Sequence, residues 1–563
     1  MMTHPGSSRW SAWSRANLAT ALAVAALLAA LTPASPGQST SPAAPSSLPP
    51  SALVSGSQES AALPAILRAL GDPDYSADAA RRLAATCTAA DIPALFQALA
   101  DPNLSDSAHA ALSGAIPELY KRLRDARKAA DLAATQDFNT RNGAALYLQS
   151  KFTNPAWDKL VLHAYAVIPT PAPDDHFSDF KAAIDAGCTD PVIIYYYLSR
   201  GINRPELGGV LAVTKRMRLN ALALDKTDYP ATRKLFAWLR YCMAGASLFK
   251  DPKSPINQEQ VQVDFKRCVA LFPAFVKDRP DPDSLHGAMD MLNTITDRFT
   301  AYNDMLNSHR YRGWLPQVER AAPLDPVTWY YAAQEQIDLA WYARGAGTAD
   351  TVDANGWKGF RQHIDLAEAY ARKSFLLDPL APSGPTLMIT VCTAQNYDRP
   401  TMESWFARAF FANPDNYDAC SRKLNYLFPK WLGSVEEALD FGRKCVELGN
   451  AGNSLPLILV AAHEDLAQDS GAPAAYYLQP GVYDDLKDAY LKMLDDPAVL
   501  GKSGVAIYHA RLLHAAATCQ HWDDFLALAK QYKGTIDVKE FGGQALFNYN
   551  LKRAREAVAK NPA

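Results

Sequence analysis

Along the second half of the chain, a proline or a Gly-Asn pair recurs behind one small-residue helical face. Leu-Asp-Pro ends at Pro326 and again at Pro379, Asn-Pro at Pro414, and Gly-Asn at Asn450. Counting back five, eight and twelve residues gives Ala321, Val318 and Trp314, then Ser374, Ala371 and Ala367. The next two sets are Ala409, Phe406 and Met402, and Cys445, Gly442 and Ala438. Residues at these offsets share one side of an α-helix. A small residue where two helices touch, plus a proline that stops the second helix, predicts stacked helix pairs. The intervals from Pro379 to Pro414 and from Pro414 to Asn450 are 35 and 36 residues. The interval from Pro326 to Pro379 is 53, so one unit carries an insertion of about half a repeat. The fold class this predicts is all-α: an α-solenoid, or superhelix, of helix-turn-helix repeats.

A second repeat lies near the front. Pro64-Ala-Ile-Leu-Arg-Ala-Leu-Gly-Asp-Pro73 matches Pro93-Ala-Leu-Phe-Gln-Ala-Leu-Ala-Asp-Pro102, at a period of 29. Each copy is an apolar helix stopped at Asp-Pro, with another helical pattern after it. Helix pairs at this period resemble HEAT-type repeats, and the later period near 34 resembles a tetratricopeptide repeat. The resulting map has HEAT-like repeats at 61–168, an irregular helical region at 176–288, and tetratricopeptide-like repeats at 289–450. Further helical repeats fill 451–563. The run Val192-Ile-Ile-Tyr-Tyr-Tyr197 could pass for a strand, but its helical neighbours decide for helix.

The N-terminus reads as a targeting segment. Arg9 and Arg15 precede an uncharged run from Leu18 to Leu31, and small residues and prolines follow through Ala34, Ser35 and Gly37. A positive start, a short apolar stretch and a small-residue exit predict a signal peptide over 1–37. The run has 14 residues, shorter than a membrane span requires. Residues 38–60, rich in Ser, Pro and Ala, are expected to be a disordered linker. The mature chain is therefore expected in the periplasm or outside the cell, with no transmembrane span once the signal is removed. Net charge is −3, from 56 basic and 59 acidic residues, without a basic block. Nucleic acid is thus not an expected partner. Eight cysteines lie singly in helical patterns, with no Cys-x-x-Cys. They read as buried small hydrophobes and define no connectivity.

Few residues suggest chemistry. Gly501-Lys-Ser503 lacks the glycine five positions earlier that a phosphate loop needs, since that position is Asp496. His463-Glu464 begins like a zincin helix, but Ala467 stands where the second histidine belongs. His509, His514 and His521 lie partly along one flank and read as surface or interface histidines. Cys519 has His521 close by in sequence, but a chain neighbour is not a positioned base. Glu335 with Asp338, and Glu436 with Glu437, read as solvated faces; glycoside hydrolysis would need two carboxyls facing each other across a cleft. No catalytic residue, metal site or cofactor is expected.

The insertion offers more. It contains Trp341-Tyr-Ala-Arg344-Gly-Ala-Gly347, then Asp350, Gly356 and Trp357, and insertions in stacked repeats map to loops on one face, often the binding face. Arg344, between glycines and flanked by Trp341 and Trp357, could point its planar fork at a carboxylate or phosphate. It could equally tie the loop down through Asp350 or Asp353. The segment from about Trp329 to Leu448 resembles an uncharacterised bacterial family with a tetratricopeptide-like fold. The likeness is carried by Trp341-x-x-Arg344-Gly-x-Gly347, Gly356-Trp357-x-x-Phe360, Met388-Ile-Thr-Val391, Trp405-Phe406-x-x-Ala409 and Lys430-Trp431-x-Gly433-Ser434. The resemblance implies the fold and no activity.

These features predict a scaffold that binds a peptide or protein partner in the cell envelope. The alternatives are a glycan-acting envelope enzyme with carboxylates in a helical groove, and an architectural subunit of an envelope or export assembly. The expected contact residues are Arg344, Trp341, Trp357 and Asp350. The expected repeat positions are Ala371, Ser374, Pro379, Phe406, Ala409 and Pro414.

Overall fold

A computed structural model describes residues 63–70, 72, 76–168, 176–250, 254–278, 282–300, 311–345, 347–450 and 452–560, and every regular element among them is a helix. The expected signal peptide and linker, and the Pro-rich stretch 169–175, lie outside the described residues. The run from Val192 to Tyr197 is helical, as its neighbours suggested.

At the front, α1 (Leu63–Leu70) packs on α2 (Ser76–Thr86). The second pair opens with α3 (Ile92–Leu99) and α4 (Asp106–Asn142). The helical pattern after the second Asp-Pro runs on as α4, one helix of 37 residues with Pro117 inside it. A single proline removes one backbone donor and need not end a long helix.

Two compact units divide the chain at places the composition does not mark. One is continuous and holds residues 123–378; the other is discontinuous, made of the chain up to Arg122 and from Pro379 onward.

In the continuous unit the helices are α5 (Ala144–Gln149), α6 (Asp158–Val167), α7 (Phe177–Asp185), α8 (Pro191–Arg200), α9 (Gly209–Asp225), α10 (Ala231–Ser247) and α11 (Gln258–Lys277). They continue with α12 (Pro282–Thr300), α13 (Leu315–Ala321), α14 (Pro326–Arg344) and α15 (Ala354–Leu377). From α5 to α11 each helix packs on the next, and α8 with α10, α10 with α12 and α11 with α13 also touch. Contacts to the next helix and the next but one are what stacked hairpins produce. The two ends of this unit are held together by a forked ion pair. Arg127 donates from Nη1 and Nη2 to the two carboxylate oxygens of Asp378, at 2.7 and 2.8 Å.

The discontinuous unit adds α16 (Ser383–Ala394), α17 (Arg399–Ala412), α18 (Tyr417–Leu427), α19 (Val435–Leu448), α20 (Leu457–Asp469) and α21 (Pro473–Tyr476) to the front helices. It ends with α22 (Val482–Leu494), α23 (Pro497–Thr518), α24 (Trp522–Gln531) and α25 (Gln544–Lys560). The front repeats pack directly on α17: the Arg408 guanidinium lies 4.1 Å from the Phe96 ring centre, and Tyr120 meets Phe411 at 5.9 Å. Tyr120 also donates its hydroxyl to Pro379 O at 3.2 Å.

The periodic small faces lie inside. Ala367, Ala371, Ser374, Met402, Ala409 and Ala438 are fully buried, and Phe406 and Cys445 nearly so. Close approach explains the small sizes. A Cβ on Gly442 would stand 2.9 Å from Leu459 Cα, and the Ser374 hydroxyl donates to Pro326 O at 2.8 Å. Pro379 and Pro414 follow helices that end in matching caps, Asp378 (φ −147°, ψ 93°) and Asn413 (φ −146°, ψ 99°). A residue before proline is pushed to such extended angles. Pro326 differs, because the preceding helix has already ended at Ala321. Pro326 opens α14, capped by the Asp325 carboxylate, which accepts from Val327 N at 2.9 Å. Ala321 is accordingly only half-buried.

Between α17 and α18 lies a buried ion pair, Lys423 Nζ to Glu403 Oε2 at 2.6 Å, with the ammonium 4.2 Å from the Phe406 ring centre and 4.7 Å from that of Phe441. Ala409→Leu forces volume into the closest layer of the same repeat and is expected to cost roughly 1–3 kcal/mol. Urea unfolding that matches the parent would refute the assigned register.

Candidate functional site

The inserted loop is built around Arg344. Its Nη1 donates to Gly345 O at 3.2 Å and to Gly347 O at 2.8 Å. The guanidinium lies 5.6 Å from the Trp341 ring centre and 5.5 Å from that of Trp357. Both indoles rest edge-on against the buried Phe360, at 5.1 and 5.7 Å. Gly345, at φ 77°, lets the chain leave α14 in a conformation other residues avoid. A Cβ on Gly356 would stand 3.0 Å from Ala343 O, so the start of α15 runs too close to α14 for a side chain there.

Three of the four expected contact residues thus meet: Arg344, Trp341 and Trp357. Asp350 does not join them. It sits fully exposed, and a hydrogen bond from Thr348 holds its carboxyl below the usual range. Asp353 caps α15 by accepting from Gly356 N at 2.6 Å. The loop is therefore fastened by arginine to backbone carbonyls and indole faces, and by neither aspartate. Cation–π contacts at such partly exposed sites contribute about 0.5–1 kcal/mol each. Arg344→Ala is expected to lower stability by about that much and to speed chymotryptic cleavage after Tyr342. Unchanged cleavage would separate Arg344 from loop order.

A second group gathers on α13, α14 and α15. It consists of Glu319, Trp329, Glu335, Tyr370 and Lys373, all half-buried. Trp329 donates its indole N–H to Pro323 O at 2.8 Å and meets Tyr370 at 5.4 Å between ring centres. The Lys373 ammonium stands 3.2 Å over the Trp329 ring. Burial raises the carboxyl pKa of Glu319, against the charges of Arg320 and Lys373. Burial also raises Glu335, and the Glu319 charge is the next largest contribution. Burial lowers the Lys373 ammonium, against the pull of Glu319. Among the described residues, neither carboxylate has a hydrogen bond or ion pair.

Sequence spacing pairs Glu335 with Asp338, but Asp338 accepts from Gln334 at 2.8 Å. Asp338 adds to the charge that acts on Glu335, but Glu319, on another helix, contributes more. Within one helix, Tyr370 and Lys373 lie three residues apart, each immediately before a repeat position, Ala371 and Ser374.

Half-buried carboxyls in apolar company give a definite pH response. Their folded pKa values lie above the unfolded ones, so the folded chain binds more protons between the two. Stability is then highest on the acidic side of that window and falls as pH rises through the folded values. Glu335→Gln is expected to flatten this fall. Equal slopes of urea midpoint against pH in parent and variant would contradict it.

The other sequence candidates are held structurally. His463 is buried, with Tyr476 Oη at 2.9 Å from Nδ1 and Asp485 Oδ2 at 3.1 Å from Nε2. His509 stacks on Tyr532 at 3.6 Å, His521 on Tyr483 at 4.1 Å, and His514 meets Phe541 at 5.7 Å, so the three do not converge. Gly501 is a kink inside α23, at φ 67°. Two shallow cavities, about 330 Å³ each, include neither Glu319 nor Glu335. No protein-family model and no curated protein matches the chain.

Proposed function

We propose that this chain is an exported helical-repeat scaffold of tetratricopeptide-like type that binds a peptide or protein partner through the face formed by α13, α14 and α15. One observation carries the reading: two half-buried carboxyls, raised by burial and without a hydrogen bond or ion pair among the described residues, on a face with an indole and a phenol. Such a face fits a partner that offers a lysine or arginine side chain. The carboxylates would take the charge, and Trp329 and Tyr370 would cover the apolar stem.

Selection from a displayed library of random peptides tests this. Enriched sequences are expected to contain basic residues, and Trp329→Ala or Glu335→Gln is expected to weaken their binding by tenfold or more. No enrichment, or equal retention by both variants with helical content intact, would exclude the reading.

The same carboxylate pair supports a second reading, a glycan-acting enzyme in which the raised carboxyl of Glu335 serves as general acid. Release of sugars from cell-wall glycan by the parent, lost in Glu335→Gln, would favour it over binding alone. The N-terminal sequence supports export. Mature protein is expected to begin near Gln38, and recovery of an intact Met1 form from the cytoplasm would count against it.

A further inference from the structure

Trp329 already carries a cation. Its indole stands in the first turn of α14, and Tyr370 and Lys373 stand one turn apart near the end of α15, the helix packed against it. The Lys373 ammonium lies 3.2 Å from the centre of the Trp329 ring. The buried Lys423 makes a useful contrast. Its ammonium is 4.2 Å from the Phe406 ring centre, and it also has Glu403 at 2.6 Å. Among the described residues, Lys373 has no hydrogen bond or ion pair, so the indole is its contact.

The two partners differ in freedom. Trp329 is fixed: its N–H donates to Pro323 O at 2.8 Å, and its ring meets Tyr370 at 5.4 Å between centres, tilted by 41°. It is half-buried against the core of its unit, so little of the ring is left for a second cation. Lys373 is movable, because a strongly hydrated ammonium on a flexible four-carbon stem leaves a ring at small cost.

We propose that Lys373 is an internal occupant of the cation-binding face of Trp329: its ammonium covers the ring in the free chain, and a partner's lysine or arginine must displace it. The proposal rests on the reading of α13–α15 as a binding face and adds a built-in competitor to it. The contact itself shows which chemistry the ring accepts. A cation over an indole at a partly exposed site is favoured by a factor of about two to five. The ring is then open in about one-third to one-sixth of the molecules, and the apparent affinity for a cationic partner falls by that fraction.

Two measurements on the full chain test this. Lysines are reductively methylated with ¹³C-formaldehyde, which keeps their charge, and the methyl signals are recorded by NMR. The Lys373 signal, identified by its loss in Lys373→Ala, is expected upfield of that of the exposed Lys358, because a group above an indole face is shielded by the ring current. It is expected to move toward the Lys358 position when an N-terminally blocked, lysine-free peptide of alternating arginine and glycine is added. In calorimetric titrations with the same peptide, Lys373→Ala is expected to bind about three- to sixfold more tightly than the parent. Arg320→Ala is the control for charge alone, since Arg320 also acts on Glu319, and it is expected to gain less. A Lys373 signal among those of exposed lysines in the free chain overturns the proposal. So do equal gains from the two variants, or peptide binding that leaves the Lys373 signal in place; in these cases the binding face stands without the competitor. Binding by neither the parent nor Lys373→Ala removes the binding face, and the competitor with it.

Discussion

Glu403→Ala is expected to lower stability by about 3–5 kcal/mol, because it strands the Lys423 ammonium in the interior. The Lys423 side chain is 3% exposed and that of Glu403 11%, so water cannot replace the lost carboxylate. Phe406 and Phe441 crowd the ammonium and offer only their ring faces. Removing both charges tells a different story. Lys423→Met with Glu403→Leu keeps the volume and deletes the desolvation cost, and is expected to restore most of the loss. Urea unfolding of the single and double variants measures both. A single variant within about 1 kcal/mol of the parent would mean the pair is solvated, as surface pairs are.

Trp314→Ala is expected to cost about 3–5 kcal/mol, the usual range for deleting a buried aromatic ring. Trp314 is fully buried at the start of α13, 5.2 Å from the Tyr331 ring and 5.8 Å from that of Tyr311. Tyr331 in turn donates its hydroxyl to Asp290 at 2.5 Å, so the vacated space borders a polar contact that cannot simply collapse. Trp329, fifteen residues on and half-buried, is expected to cost about 1 kcal/mol when truncated. The contrast separates a tryptophan that holds the repeat from one held ready on its face. Comparable losses at both positions would put Trp329 in the core and weaken the binding proposal.

The repeat was legible because its signal is local. Ala371, Ser374, Phe406 and Ala409 sit at fixed offsets along single helices, and prolines mark the turns. Pro326 shows the limit of that signal. Asp-Pro reads equally as the end of one helix or the capped start of the next, and which applies depends on where the preceding helix frays. The loop around Arg344 was legible as a unit, since its glycines and indoles are consecutive. Which acceptors the guanidinium would find was not, because backbone carbonyls leave no mark in a sequence. The influence of Glu319 on Glu335, and the contact of Phe96 with Arg408, depend on which helices become neighbours. Nothing in the composition of any one helix encodes that.

The discontinuous unit has a consequence for synthesis. Its front helices find their partners on α17 and at Pro379, and the hydrogen bond from Tyr120 to Pro379 spans 259 residues. A ribosome adding about 5–20 residues per second needs roughly 10–50 s to bridge that gap. During this interval α1–α3 have left the exit tunnel with their apolar faces uncovered. Meanwhile the continuous unit emerges whole, and it cannot be clamped until Asp378 arrives to meet Arg127. Assembly is therefore expected to run from the middle outward, with the front helices among the last to be buried. A chain built this way depends on something to shield its leading end until the tail appears.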